Sequence, residues 1–174
     1  CWDAFEPEEG AYNAGYVHTV IDNIRRHGLH GTLLWFGTWK NGQMEYTPPW
    51  VKKDRERFPR VLCKDGTQTT VLSPHSRRNL EQDAKAFRAF MEILREYDGK
   101  QGTILAQVPE GIRQLARTDC GAIHQSWVKN GSREQGNWKE MFGSFGAELC
   151  SAWAVARYID EIAAGGKEIY DIFM

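Results

Sequence analysis

The sequence predicts an α/β fold in which parallel strands alternate with helices. Three short apolar runs, at 29–36, 103–108 and 169–173, are bounded by turn residues, as is typical of strands covered on both faces. Two longer segments, 77–97 and 147–164, repeat apolar residues at helical spacing. A strand, a helix and a strand in this order predict a parallel βαβ unit. Two closures remain open at this point, a doubly wound open sheet and part of a (β/α)8 barrel.

The first helix is predicted over residues 14–27, with Asn13 as its N-cap and Gly28 just past its end. The first strand follows directly and stops at Gly37. In α/β folds the loops that leave the carboxyl ends of parallel strands build the binding sites. The stretch at this strand end contains two indoles, a cation and a turn signal, so we interpret it as an aromatic-lined loop: Trp35, Trp39, Lys40 and Asn41.

Residues 38–75 are interpreted as a long irregular excursion, which is usually functional when it occurs inside a compact domain. Its charged run, residues 52–57, predicts a solvated face. Pro48 and Pro49 precede Trp50. The three residues together suggest a rigid wall beside the end of the first strand.

The clearest helix is predicted over residues 77–97, with Ser76 as its N-cap and an apolar stripe that faces the core. Residues 109–137 look loop-like, and a short helix is predicted over 138–143. The helix over 147–164 is predicted to stop at Gly165-Gly166, before a third strand at 169–173.

Composition excludes several classes of function. The net charge is −1, from 22 basic and 23 acidic residues, which predicts neither a nucleic-acid nor a membrane partner. Four widely separated cysteines and five histidines show no metal-ligand spacing, so neither a metal nor another cofactor is predicted. No phosphate-binding glycine motif follows a strand. The chain begins at Cys1, which leaves its compartment open.

Five segments follow one another in a definite order and spacing: EPEEGAYN (6–13), RRHGLHGTLLWFGTWKNG (25–42), PPWVKKDRERFPRV (48–61), LSPHSRRN (72–79) and TILAQV (103–108). In this order they resemble the β-galactosidase-like glycoside hydrolases related to families 35 and 42, and residues 138–143 and 152–170 are similar to later parts of the same group. The resemblance implies retaining hydrolysis of terminal β-galactosides or similar β-glycosides. It also implies a partial (β/α)8 TIM barrel, from about strand 2 to strand 5, as a single domain over residues 1–174 that is truncated at both ends.

The resemblance also implies a catalytic residue. The family's fourth strand ends in a Gln-Val-Glu-Asn-Glu type motif, whose second Glu is the general acid/base. Here the strand ends Gln107, Val108, Pro109, Glu110, so the Asn is absent and Glu110 aligns with the acid/base only across a deletion. The nucleophile belongs to the seventh strand of that family. Because retaining hydrolysis needs two carboxyl groups about 5–5.5 Å apart, this chain alone is expected to be incomplete or inactive.

The remaining candidates are polar or aromatic residues near the predicted strand ends. Glu6 is a candidate for the mouth of the site, and Lys40, Asn41 and His75 are candidates for hydrogen bonds to sugar hydroxyls. The indoles of Trp35, Trp39 and Trp50 are candidates for stacking on sugar rings, against an ordinary core role. The alternative functions are a non-catalytic carbohydrate-binding relative and an unrelated open-sheet α/β domain. Exposed sheet edges predict that the chain associates with itself.

Overall fold

A computed structural model describes residues 1–38, 46–62, 65–109 and 146–172 of the chain. In chain order the elements are α1 (Trp2–Phe5), α2 (Ala14–Arg26), β1 (Gly31–Trp35), α3 (Pro49–Lys53), β2 (Arg60–Leu62), β3 (Gln68–Leu72), α4 (Arg77–Asp98), β4 (Ile104–Pro109) and α5 (Gly146–Ile169). The chain divides into two compact units. The first unit comprises residues 1–110 and 161–174, and the second comprises residues 111–160.

Helix α2 confirms the predicted first helix. The Asn13 side chain accepts a hydrogen bond from the Tyr16 backbone N–H at 3.0 Å, as an N-cap residue should. Gly28 follows the helix end with φ of +64°, a left-handed conformation that favours glycine. Val17 and Ile21 are buried and attach the helix to the core.

Strands β1 and β4, with α4 between them in the chain, confirm the predicted parallel βαβ pairing. The Ser76 hydroxyl accepts a hydrogen bond from the Asn79 backbone N–H at 3.3 Å and begins α4. Strands β1 and β4 pair in parallel, with Leu34 opposite Val108 and Trp35 opposite Pro109. The carboxyl ends of both strands therefore lie at the same edge of this two-stranded sheet.

The core at this edge is aromatic and is formed by α1, β1 and α4. Trp2, Phe5 and Phe87 are fully buried, and Trp35 is 4% exposed. The Phe5 ring centroid lies 5.9 Å from that of Trp35 and 5.5 Å from that of Phe90, both in edge-on geometry. Such edge-to-face packing adds to the stabilisation that the rings gain from burial, so α1 is held firmly against the strand and the long helix.

The predicted partial TIM barrel is wrong. The described residues form a two-stranded parallel sheet, β1–β4, and a two-stranded antiparallel sheet, β2–β3, and they close no barrel. The segment interpreted as irregular, 38–75, contains α3 and the β2–β3 hairpin, in which Arg60 lies opposite Leu72. An antiparallel pair needs only a short connection, and Gly66 supplies the turn with φ of +84°. The segment expected to be irregular therefore forms a short helix and a hairpin, and the described chain is a small mixed α/β protein.

The predicted third strand, residues 169–173, is also wrong. Helix α5 continues through Gly165 and Gly166 to Ile169, and residues 170–172 lie outside any strand. A Cβ atom on Gly166 would overlap the Phe87 ring and lie 3.2 Å from Met91 Cγ. The glycines therefore allow the last turns of α5 to pack closely on α4. This packing outweighs the low helix propensity of glycine, which costs about 1 kcal/mol per residue.

The amino-terminal end of β4 is held by an ion pair between the partly exposed Arg25 and the buried Asp98. Asp98, the last residue of α4, is fully buried. It accepts hydrogen bonds at 2.7 Å from the Arg25 guanidinium and at 2.7 Å from the Ile104 backbone N–H. The Arg25 Nε also donates to the Thr103 hydroxyl at 2.9 Å. These four residues, the Asp98 cluster, connect the ends of α2 and α4 to the start of β4.

Two leucines on the parallel sheet stay largely exposed. Leu34 of β1 is 51% exposed and Leu105 of β4 is 57% exposed. Self-association through the sheet edges stays a prediction.

Among the helices that the structure describes, none combines the length and the apolar character needed to cross a membrane.

Candidate functional site

Three segments that are distant in sequence meet at the carboxyl end of β1. The Trp2 backbone N–H donates to the Phe36 carbonyl oxygen at 2.9 Å, and the Asp3 N–H donates to the Tyr46 carbonyl oxygen at 2.9 Å. These two bonds place α1 against the residues that follow the strand. Of the residues that the sequence predicts for the site, Glu6, Trp35 and Trp50 lie in this region.

Glu6 follows α1 directly and begins a turn that ends at Gly10. Its Oε2 accepts a hydrogen bond from the Trp2 indole N–H at 2.6 Å, and its Oε1 accepts one from the Gly10 backbone N–H at 2.8 Å. Gly10 has φ of +78°, which favours glycine at this position. Glu6 is 0% exposed. Both carboxylate oxygens are therefore bonded inside the protein, and neither presents a surface to a ligand.

Burial raises the pKa of the Glu6 carboxyl, because a buried carboxylate loses its hydration. The hydrogen bonds from Trp2 and Gly10 and the positive charge of Lys85 act in the opposite direction and offset only part of this rise. A raised pKa suits a general acid, but a general acid must also reach the glycosidic oxygen. The closed environment of Glu6 suits a structural role at the mouth of the site better than proton transfer.

Trp50 is brought directly onto Glu6. Its indole N–H donates to the Glu6 backbone carbonyl oxygen at 3.1 Å. The Trp50 ring is also packed edge-on against Trp2, with centroids 6.1 Å apart, and against Phe58, with centroids 5.7 Å apart. Pro49 occupies the first turn of α3, where proline is well tolerated. The Trp50 residue as a whole is partly exposed.

Trp35 lies behind this pair, in the aromatic core. Its indole N–H donates to Asp83 Oδ1 at 2.9 Å. Its ring centroid lies 5.4 Å from that of Phe87 and 5.3 Å from that of Phe90. A cavity of about 60 Å³ adjoins Trp35 and is lined mainly by apolar residues of α2 and β1. This volume accommodates a few water molecules. Stacking of a sugar on Trp35 stays a prediction, for an indole that the structure places in the core.

Asp83 is a residue of this region that the sequence analysis missed. It lies on α4, is 2% exposed, and is packed so closely on Gly37 that a Cβ atom at position 37 would overlap its carboxylate. Gly37 is thus required for the strand to end against α4. One signal was available: Asp83 lies three residues after Leu80 and four before Phe87, on the apolar stripe of the helix. A carboxylate in that stripe indicates a buried polar contact.

The remaining predicted residues lie elsewhere. Trp39, Lys40, Asn41 and Glu110 lie outside the described residues. His75 lies in the exposed turn between β3 and α4, where its backbone N–H donates to the Ser73 hydroxyl at 3.4 Å. The structure thus joins Glu6 to Trp50, places Trp35 behind them through Phe5, and leaves His75 on a separate turn. Within the described ranges, no group of three or more His, Cys, Asp or Glu side chains is placed to hold a metal ion.

Neither a protein-family model nor a curated protein matches this chain. Function therefore has to be inferred from the residues and from their geometry at the carboxyl end of β1.

Proposed function

We propose that this chain is part of a retaining glycoside hydrolase that acts on terminal β-galactosides or similar β-glycosides. The observation that carries the proposal is the ordered series of segments at 6–13, 25–42, 48–61, 72–79 and 103–108, which resembles the β-galactosidase-like enzymes. The contact between Glu6 and Trp50 supports it, because two candidate residues that are 44 positions apart in sequence meet near the end of a parallel strand.

In this proposal Trp50 contacts the substrate. Trp50 is a partly exposed residue with an apolar ring, and the C–H faces of a galactoside ring are apolar as well. Glu110 is the proposed acid/base by resemblance, and Glu6 is neither member of the catalytic pair because both of its oxygens are bonded internally. The family's nucleophile has no counterpart among the aligned segments. We therefore expect the chain alone to bind a galactoside without turning it over.

The test compares binding with turnover. Nitrophenyl β-galactoside and galactose are titrated into the wild-type chain, with isothermal calorimetry and tryptophan fluorescence to follow binding and nitrophenol release to follow hydrolysis. We expect saturable binding, and we expect Trp50→Ala to weaken it by about tenfold or more. Trp153→Ala is the matched control, because Trp153 lies in α5 and has no role in the proposal. Absence of saturable binding to the wild-type chain, or equal affinity of the Trp50→Ala variant, would refute the proposal.

A non-catalytic carbohydrate-binding role is the second candidate. The closed environment of Glu6 favours it, because the Glu6 carboxyl, whose pKa is raised by burial, has no exposed oxygen. The two candidates differ in the effect of Glu110→Gln. A catalytic relative hydrolyses the galactoside when a second fragment supplies the nucleophile, and Glu110→Gln abolishes that hydrolysis. A binding protein shows no hydrolysis with any fragment, with or without the change.

A further inference from the structure

Trp50 belongs to a helix that cannot fix the indole by itself. Helix α3 has five residues, and isolated helices of this length are not stable in water. The orientation of the Trp50 ring must therefore come from tertiary contacts. The contacts present are the N–H bond to the Glu6 carbonyl and the edge-on packing with Trp2 and Phe58.

Glu6 is itself held at every polar group that it has. Its backbone N–H donates to the Trp2 carbonyl oxygen at 2.8 Å, and its backbone carbonyl accepts from Trp50. Its two carboxylate oxygens accept from the Trp2 indole and from Gly10. These two hydrogen bonds are short, at 2.6 Å and 2.8 Å. The carbonyl that receives the Trp50 indole is thus part of a fixed unit formed by Trp2, Glu6, Gly10 and Trp50, the Glu6 cluster.

We propose that Glu6 and Trp2 are positioning residues, which hold the Trp50 indole in the orientation that receives the sugar ring. This inference rests on the proposed function and deepens it, because it assigns Glu6 a role that acts through Trp50. A ring that is already ordered before binding loses little conformational entropy when the ligand arrives. A binding residue whose rotamer is fixed by surrounding hydrogen bonds is the arrangement expected of a preorganised site.

The test observes the Trp50 indole directly. The chain is labelled with ¹⁵N-tryptophan, and the Trp50 indole N–H signal is assigned by its loss in Trp50→Phe. Trp2→Phe removes the donor to Glu6 while keeping an aromatic ring, and Glu6→Gln removes the carboxylate charge. In each variant we expect the Trp50 signal to shift, because the indole is held less firmly. Its solvent exchange should accelerate by about tenfold, which corresponds to about 1.4 kcal/mol. Galactoside affinity should fall about three- to tenfold, because the ring must then be ordered on binding.

Two controls separate positioning from general loosening. Glu8→Gln removes an exposed carboxylate in the same turn, and it should leave the Trp50 signal unchanged. The Trp35 indole N–H, which donates to Asp83, should keep its position in all variants and reports an intact core. If Trp2→Phe also shifts the Trp35 signal, that variant has disturbed the core. The inference is then tested by Glu6→Gln alone.

The outcomes distinguish the inference from the function on which it rests. An unchanged Trp50 signal in both positioning variants overturns the inference, whatever the chain binds. A perturbed Trp50 signal together with weakened galactoside binding supports it. A wild-type chain that binds no galactoside overturns both the proposed function and the sugar-positioning role. A perturbed signal with unchanged galactoside affinity overturns the positioning role alone.

Discussion

Two fully buried carboxylates, Asp98 and Glu6, lie at opposite ends of the parallel β1–β4 pair, and their pKa values move in opposite directions. Desolvation acts to raise the pKa of Asp98, but hydrogen bonds from Thr103, Ile104 and Arg25 outweigh it, so the pKa is lowered. Desolvation also acts on Glu6, and there it dominates, so the pKa is raised. The hydrogen-bond donors to Glu6 are an indole and a backbone amide, which are neutral.

The difference shows that burial alone does not decide whether the pKa of a carboxyl group is raised or lowered. Both side chains accept two or more hydrogen bonds, yet only Asp98 is bonded to a guanidinium. The Asp98 cluster therefore favours the ionised form of its carboxyl, whereas burial of the Glu6 cluster acts against the ionised form. We expect the first cluster to contribute mainly stability and the second to contribute mainly local geometry near Trp50.

The largest effect is expected from Asp98→Asn. This change leaves the Arg25 guanidinium without its buried counter-charge and should lower the free energy of unfolding by about 3 kcal/mol, the lower end for a broken buried pair. Urea denaturation measures it. The matched control is Asp22→Asn, because Asp22 contacts the same Arg25 at 3.5 Å but is 47% exposed. It should cost less than about 1 kcal/mol. Equal losses in the two variants would contradict the distinction between a buried and an exposed partner.

A smaller loss is expected from Glu6→Ala. The Trp2 indole N–H and the Gly10 N–H lose their acceptor, and an unsatisfied buried donor costs about 1–3 kcal/mol, so we expect about 2 kcal/mol in urea denaturation. Glu6→Gln keeps one acceptor oxygen and should cost about half as much. If Glu6→Gln proves as costly as Asp98→Asn, the charge on Glu6 matters more than its hydrogen bonds, and the comparison fails.

Trp35→Phe tests the aromatic core between the two clusters. It removes the N–H that donates to Asp83 and part of the ring volume, so we expect a loss of about 1–2 kcal/mol in the same denaturation experiment. Phe36→Leu, at the next and partly exposed position, is the control and should cost less. A smaller loss for Trp35→Phe than for Phe36→Leu would argue against the core position of Trp35.

The smallest effect concerns pH, and its sign differs between the clusters. Asp98 has a lowered pKa, so its stabilisation is present above its unfolded-state pKa of about 3.9 and is lost as the pH falls through its folded-state pKa. Glu6 has a raised pKa, so between its unfolded-state pKa of about 4.3 and its folded-state pKa the folded chain holds more protons. In that window the Glu6 contribution to stability falls as the pH rises.

Stability curves of variants measured against pH therefore diverge. The gap between wild type and Asp98→Asn should shrink as the solution is made more acidic than about pH 4. The gap between wild type and Glu6→Gln should shrink as the pH rises from about 4.5, because the variant carries no carboxylate to desolvate. Parallel curves for the two variants would mean that the carboxyls do not differ in pKa.

The sequence by itself determined the elements whose signals are local. Helix α2 with its Asn13 cap, helix α4 with its Ser76 cap, and the two apolar strands all lie close to where their caps and periodicity predicted them. Caps, turn glycines and apolar stripes act within a few residues, so they can be read along the chain. The candidate site was indicated in the same way, through indoles and a carboxylate near strand ends.

Only the tertiary structure decided the rest. The Gly165-Gly166 pair carries a local stop signal, but close packing on Phe87 continues α5 and removes the predicted strand. The sheet arrangement depended on whether residues 60–72 paired with each other, which their spacing alone did not decide. The contact of Trp50 with Glu6 and that of Trp35 with Asp83 join residues 44 and 48 positions apart, so only the folded chain shows them. Burial and hydrogen-bond partners are properties of the folded chain, because they depend on which distant segments meet.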